Sequence, residues 1–390
     1  ITAHLGDIYV VEGTIRANAK QVTSGEKESA AGDVILDAAQ NITIGFETVK
    51  AWADDPTTEN TDGYHPEYVS DTERGYYKPI SDSNSVPSSP CQKPATISGS
   101  DITLKSGSDE NYNIFMSNTT TVSDTTTVSN TLTASNAINI DTASMNIIGG
   151  TLNASTLNAT GELTLTGGTV TSDGDLTISG AKGLTIGSDA GISTGGNLTF
   201  ASSEGAVIND HTWDNQNGSV TLSGKTGVTN NATITSSNGI GMTSAEGTIV
   251  NKAVLTAKGG AVFFEGKGDI TNNALIEANG SVYIISTGGK VTNRAGIIAG
   301  KNFATASAAS PFSLRARARA VGNGSVVISG SSGVINDTKD GIQANDSVLL
   351  ESSAGDISNS SSITATNGSV EINGNGDVNN TGANISAGNN

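Results

Sequence analysis

Between Val207 and Val378 the chain repeats itself. An apolar residue followed two positions later by asparagine occurs at Val207/Asn209, Val228/Asn230, Ile249/Asn251, Ile270/Asn272 and Val291/Asn293, each pair 21 residues after the last. The pair resumes at Val334/Asn336, Ile357/Asn359 and Val378/Asn380. Two more columns keep the same step: Ala232, Ala253, Ala274, Ala295, and Ile234, Leu255, Ile276, Ile297. A fixed period near 20 residues predicts a solenoid, in which each repeat is one structural unit stacked on its neighbours. Inside one repeat, residues 217–237 alternate apolar and polar positions (Val220/Leu222, then Ala232/Ile234), with Thr, Ser and Val in the runs and Gly or Asn-Asn closing them. Alternation of period 2 predicts strands, and three strands of three to five residues with their turns use up one period. No Leu-x-x-Leu-x-Leu frame of a leucine-rich repeat is present. The expected fold is therefore all-β: a parallel β-helix with about 21 residues per coil and three short strands per coil, each coil bonded to the next at about 4.8 Å.

The asparagine column (Asn209, Asn230, Asn251, Asn272, Asn293, Asn336, Asn359, Asn380) has a physical role in such a fold. Asparagine tolerates the left-handed backbone of a sharp turn between strands. Stacked once per coil, its amides can pair along the axis as in the ladders of cross-β structures.

The pattern has breaks. Residues 1–45 carry coil chemistry, as in Ala31-Gly-Asp-Val-Ile-Leu-Asp-Ala. Residues 46–93 do not: they hold Trp52, Tyr64, Tyr68, Tyr76, Tyr77, His65, Cys91 and five of the seven prolines. This stretch is too long for a turn and too aromatic for a disordered linker, and it reads as an insertion outside the helix, a hairpin or small subdomain. Coils resume over 94–390. In the Thr/Ser/Asn-rich stretch 117–135, Val122, Val128, Leu132 and Ala134 suffice for narrow coils. Residues 302–323 fall in register arithmetically: adding 21 to Ala295 and Ile297 lands on Ala316 and Ala318, which reads as one more full coil with Leu314 in the asparagine position. Alternation then points Arg315, Arg317 and Arg319 outward on one strand.

Composition narrows the function. Few large side chains (7 Phe, 2 Trp) beside 48 Gly suit a thin core of stacked small aliphatics. A net charge of −18 argues against nucleic acid and anionic membrane as partners. A single cysteine excludes an intramolecular disulfide framework. No signal peptide or transmembrane run is visible, the first residue is not Met, and the chain ends inside a repeat, so it reads as a piece of a longer, secreted protein.

Candidate chemistry is sparse. The arginine stripe is a candidate for sulfated or sialylated glycan, though a solvated strand face pairing with acids of adjacent coils explains it equally well. The segment Asn209-Asp-His-Thr-Trp-Asp214 is the one cluster of His, Asp and Trp, but a single turn lacks the second carboxylate that glycosidic cleavage needs, which favours a decorated turn. The aromatics of 46–93 offer a stacking platform for a sugar or a protein, or form the insertion's own small core. Gly-Asp pairs at 268–269, 355–356 and 376–377 have the wrong period for calcium-binding β-roll repeats. No metal cluster, nucleophile triad or phosphate loop is seen, so neither cofactor nor catalytic residue is expected.

Tracts such as Ala31-Gly-Asp-Val-Ile-Leu-Asp-Ala, Gly196-Asn-Leu-Thr-Phe-Ala and Gly218-Ser-Val-Thr-Leu-Ser-Gly, followed by the Asn-Asn-Ala-x-Ile-x-Ala frame, resemble the repeats of filamentous-haemagglutinin-type exoproteins of bacterial two-partner secretion. The resemblance covers nearly the whole chain except 46–93. The Asn-Pro-x-Gly-type motifs of that family's secretion domain are absent, which places this chain in the shaft. The resemblance implies a right-handed β-helix, export through an outer-membrane partner, a location outside the cell or on its surface, and adhesion to a host or neighbouring-cell glycan or protein. Fifteen Asn-x-Ser/Thr sequons, among them Asn197, Asn217, Asn231, Asn279, Asn345 and Asn367, match a glycosylation known in some members. The expected function is a non-enzymatic adhesin shaft that extends and displays a binding region. The alternatives are the stick of a contact-dependent growth-inhibition toxin and a β-helix polysaccharide lyase or glycoside hydrolase.

Overall fold

The computed structural model describes strand backbone between Thr2 and Ile147, with a few side chains from Thr133 on, and then the continuous chain over 150–301 and 323–388. Every described element is a strand. The chain winds in a repeating three-strand cycle, and each strand pairs in parallel with the equivalent strand of the levels above and below. This is the β-solenoid the periodicity predicts. Two faces are continuous sheets of fourteen strands. The third face is divided: a six-stranded sheet ends at Gly191–Thr194 and an eight-stranded sheet begins at Trp213–Asn215.

Alternation sets which side chains face inward. On the first face, Val220–Gly224 points Val220 and Leu222 inward with no exposure, while Thr221 and Ser223 stay half-exposed outside. The register stacks like on like: Phe200, Leu222, Met242, Phe264 and Ile284 form one inward column. Leu255, Ile276, Ile297, Ile342 and Ile363 form another on the third face. Each fully buried aliphatic contributes about 1.5–3 kcal/mol, and among the described residues the core is one connected column of fifty side chains rather than a globular centre. The corners are tight. At Gly247 a Cβ would lie 1.6 Å from the Thr226 carbonyl oxygen of the preceding level, so no larger residue fits that turn.

The structure corrects three expectations. First, the described strands on either side of 302–322 pair directly and leave no level of the stack between them, while 302–322 themselves lie outside the described residues. The strand Ile297–Ala299 pairs directly with Ile342–Ala344, and Val282–Ser286 with Val326–Gly330. The chain leaves at Gly300 and returns at Gly324, both with positive φ (+73° and +87°) and packed against each other. Glycine is required there because a Cβ on either one meets the other's Cα at 3.0–3.2 Å in a backbone conformation that L residues avoid. Second, of 117–135 only the end, with Leu132 and Ala134, joins the stack as expected, and the part around Val122 and Val128 does not. Asn118–Thr120 and Thr127–Ser129 pair antiparallel with each other, off the stack, before Thr131–Ala134 rejoins the third face. A run of Thr and Ser around two valines, Val122 and Val128, has too little apolar surface to bury inside the solenoid, and a hairpin needs none. Third, the ladder asparagines are strand residues in regular register, not left-handed turn residues.

Residues 46–93 interrupt one level between Ile42–Ile44 on the second face and Ala95–Gly99 on the third. Within them Glu67–Val69 and Tyr76–Lys78 form a two-stranded antiparallel sheet that pairs with no strand of the stack.

Candidate functional site

A continuous run of side-chain hydrogen bonds lies inside the stack. All eight column asparagines form one ladder. Each Nδ2 donates to the Oδ1 of the next level: Asn209 to Asn230 at 2.7 Å, Asn230 to Asn251 at 2.9 Å, Asn251 to Asn272 at 2.8 Å and Asn272 to Asn293 at 2.8 Å. The ladder continues from Asn293 to Asn336 at 2.9 Å, Asn336 to Asn359 at 2.7 Å and Asn359 to Asn380 at 2.6 Å. From Asn209 to Asn336 every member is fully buried. Each is the last residue of its second-face strand, so the alternation that buries the preceding apolar residue of the pair also turns the amide inward at the corner. A buried amide satisfied at both ends is stable. The same amide without its partner costs about 1–3 kcal/mol.

A ladder needs a beginning. The residue in register before Asn209 is Ile186, which has no amide to donate. The Asn209 Oδ1 is instead capped by the Trp213 indole N–H at 2.8 Å and by the His211 backbone N–H at 3.3 Å. Trp213 is buried, 5.1 Å from the Phe200 ring and 4.3 Å from the His211 ring. His211 Nδ1 lies 2.8 Å from the Ser188 carbonyl of the level above, and Asn215 and Asn217 donate to the carbonyls of Gly196 and Thr194. These side chains close the seam where the third face changes sheets. The one His/Asp/Trp cluster of the sequence is thus a structural cap. Its tryptophan is an interior residue and offers no face to a sugar. Trp213→Phe keeps the ring and removes the donor. It is expected to destabilise the stack by about 2–3 kcal/mol and to raise amide exchange at 206–215 ahead of more distant levels. An unchanged exchange pattern would mean that the indole N–H does not hold the ladder's end.

Outside, the turns repeat the same chemistry. The Gly-Asp aspartates serve the backbone: Asp269 Oδ1 accepts the Lys290 N–H at 2.8 Å and Asp356 Oδ1 the Asp377 N–H at 2.9 Å. A groove of about 540 Å³ runs along the corner between the first and second faces, lined by Ser202, Ser223, Thr243, Lys225, Glu265 and Lys267 among others. Its floor is a hydroxyl row (Thr243 Oγ1 to Ser223 Oγ, 2.9 Å), and Lys225 lies 3.8 Å from Glu246 at its edge. Among the described residues no three His, Cys, Asp or Glu side chains converge.

One surface feature was not anticipated from the sequence. On the first face Phe263, Tyr283, Val327 and Leu349 stand in one outward column and form a second apolar cluster, separate from the core. Phe263 and Tyr283 meet edge to face at 6.5 Å. The signal lay in the strands themselves. Val262-Phe-Phe, Val282-Tyr-Ile-Ile, Val326-Val-Ile and Val348-Leu-Leu are apolar on both sides, where Val220-Thr-Leu-Ser and Leu198-Thr-Phe alternate.

Of the candidate binding residues, Tyr68, Tyr76 and Tyr77 sit on the two paired strands of the insertion, with Tyr68 opposite Tyr77. Trp52 and Tyr64 lie outside the described residues, as do Arg315, Arg317 and Arg319. The exposed sequon asparagines include Asn197, Asn217, Asn231, Asn345 and Asn367, whereas Asn336 and Asn359 are sequons buried in the ladder. Comparison of the chain with known protein families, with characterised proteins and with solved structures finds no match.

Proposed function

We propose that this chain is a shaft segment of a secreted, non-enzymatic surface adhesin, whose work is reach and display. The observation that supports this most is the unbroken register of two faces over fourteen strands, fastened along its inside by the asparagine ladder. At about 4.8 Å per level that stack extends over roughly 65 Å. A repeated surface presents the same groups at every level, so specific recognition falls to a break in the repeat. Residues 46–93 are such a break, rich in Tyr and carrying their own paired strands off the stack. On this reading they contact a glycan or protein of a host or neighbouring cell, and the full-length chain leaves the cell through an outer-membrane partner. The described corner groove holds lysine beside glutamate and offers no facing pair of acids, an arrangement closer to a scaffold than to a glycosidase.

Replacing 46–93 by a short turn tests the proposal. The shortened chain should still scatter X-rays as an elongated particle, with a longest dimension at or above the roughly 65 Å length of the stack. It should lose binding to cells and on a glycan array. Binding that survives the excision would place recognition elsewhere, and release of sugar fragments from a polysaccharide panel would favour an enzyme.

A further inference from the structure

The inward columns and the asparagine ladder repeat at each level, so they do not tell one level from the next. The corner between the first and second faces does. The last residues of successive first-face strands lie in register and read Ser202, Gly224, Ser244, Gly266, Ser286, Gly330, Ser352, Gly374. Serine and glycine alternate over these eight levels without exception, and the order carries straight across the long step from Asn293 to Asn336. The length of the following turn alternates with them. From glycine to the next inward apolar residue is four positions, as from Gly224 to Val228 and from Gly330 to Val334, and from serine it is five, as from Ser202 to Val207 and from Ser244 to Ile249.

Two turn geometries account for the alternation. In the longer turn the serine hydroxyl accepts the N–H of the glycine three residues on: Ser202 from Gly205 at 3.0 Å, Ser244 from Gly247 at 3.1 Å, Ser286 from Gly289 at 2.8 Å and Ser352 from Gly355 at 3.0 Å. The hydroxyl proton goes to the glycine turn of the level before, from Ser202 to the Ala181 carbonyl at 3.0 Å and from Ser286 to the Gly268 carbonyl at 2.7 Å. In the shorter turn the chain folds back on itself. A Cβ on Gly224 or Gly330 would lie 2.1 Å from the carbonyl oxygen three residues on, which leaves no room for serine. The two turns also bond to each other in different frames. A glycine turn straddles the serine turn before it: the Lys225 and Thr226 N–H groups donate to the Ser202 and Gly205 carbonyls, both at 3.1 Å, and the other serine-to-glycine steps repeat this frame. A serine turn donates instead to the first and second carbonyls of the glycine turn before it, Ala245 to Gly224 at 3.2 Å and Glu246 to Lys225 at 2.8 Å.

We propose that the building unit of this stack is a pair of levels, and that the alternating corner is a lock against slippage by one level. In a stack of near-identical levels the easiest misfold skips one, because every inward column still meets its like. At this corner such a slip brings like turns together. A serine turn set over the Ser202 turn donates to its first two carbonyls and leaves the buried Gly205 carbonyl without the Thr226 donor. A buried carbonyl left unpaired is costly. A glycine turn set over the Gly224 turn sends its second donor to the Gly227 carbonyl, which is folded back over Gly224. A slip of two levels meets neither loss. The lock rests on the register of the described strands and not on the adhesin reading. For a shaft it means that reach changes in steps of two levels, about 9.6 Å.

Three deletions in the full chain test the lock. Removing 224–243 joins Ser223 to Ser244 and sets a serine turn over a serine turn. Removing 244–265 joins Thr243 to Gly266 and sets glycine over glycine. Removing 224–265 takes out both levels and keeps the alternation. All three leave the ladder and the inward columns in step. Each one-level deletion should be cut by protease at its junction roughly tenfold faster than the parent, whereas the two-level deletion, although it removes more of the stack, should be cut at close to the parent's rate. Moving the cut points cannot rescue a one-level deletion, because one level removed always leaves two like neighbours. If the chain without 224–265 does not fold, the same comparison with 330–351, 352–373 and 330–373 removed decides the matter. One-level deletions as resistant as the parent overturn the lock. So does resistance that declines steadily with the number of levels removed, or a two-level deletion that fails to fold at both places.

Discussion

Asn272→Asp, which exchanges one buried nitrogen for an oxygen, is expected to destabilise the middle of the stack by about 3–5 kcal/mol at neutral pH, the range for an uncompensated buried charge. The side chain keeps its shape, so packing contributes little. The incoming bond survives, because the Asn251 amide can still donate to a carboxylate. The outgoing one cannot. Asn272 Nδ2 gives its proton to the Asn293 Oδ1 at 2.8 Å, and a carboxylate there sets two acceptors face to face at full burial. The pH dependence fixes the cause. Burial without a cationic partner raises the folded pKa of the introduced carboxyl above its unfolded value of about 3.9. The penalty is therefore small below about pH 4, where the acid O–H itself donates to Asn293, and grows as pH rises toward the folded pKa. Denaturant unfolding of parent and variant at pH 3.5 and pH 7.5 should show the gap widening with pH. A gap of the same size at both would mean that shape, not charge, carries the loss.

The ladder and the inward columns could be read from the sequence because their chemistry is local and periodic. An aliphatic residue two before an asparagine, every 21 residues, leaves one way to stack, and the register follows the spacing. The same regularity misleads between Asn293 and Asn336. The interval is 43 residues, one period of 21 and 22 more, so the spacing reads as two levels where the described strands make one. Its alternating Ala and Arg also imitate a strand of the stack. The clue against it was Leu314 standing where an amide belonged. Within the ladder a leucine would orphan the donor before it and the acceptor after it, and the ladder instead passes from Asn293 directly to Asn336. Trp213 was illegible for the opposite reason. Its role depends on Ile186, 23 positions before Asn209, ending the aliphatic part of that column, and nothing in the turn itself records which side of the ladder it closes. The insertion at 46–93 was visible as a break in period, while the pairing of Tyr68 opposite Tyr77 depends on a turn for which the sequence offers no short hairpin signal.

Ile276→Asp is expected to open the stack locally and not to melt it as a whole. Ile276 sits on the third face with Leu255 on one side and Ile297 on the other, all three fully buried. No asparagine or other polar side chain shares that column at the adjacent levels, so the introduced carboxylate finds no donor and costs several kcal/mol on top of the lost aliphatic burial. A solenoid level contacts only its neighbours, so the loss is shared by the levels next to it and not by the distant ends. Limited proteolysis should then cut first between about 252 and 300, releasing two protected pieces, while Leu163 and Ile363 remain in resistant stacks. Thr256→Asp is the control: Thr256 is in register with Glu277 on the outward side of the same face, where a carboxylate stays hydrated and the effect should remain within about 0.5 kcal/mol. Cleavage spread evenly along the Ile276→Asp chain would mean that the fourteen levels unfold together, and the shaft would then be a single cooperative unit with no independent neighbours. Cleavage confined to the substituted level in the aspartate variant, and absent from the control, would establish that each level stands or falls with the two beside it.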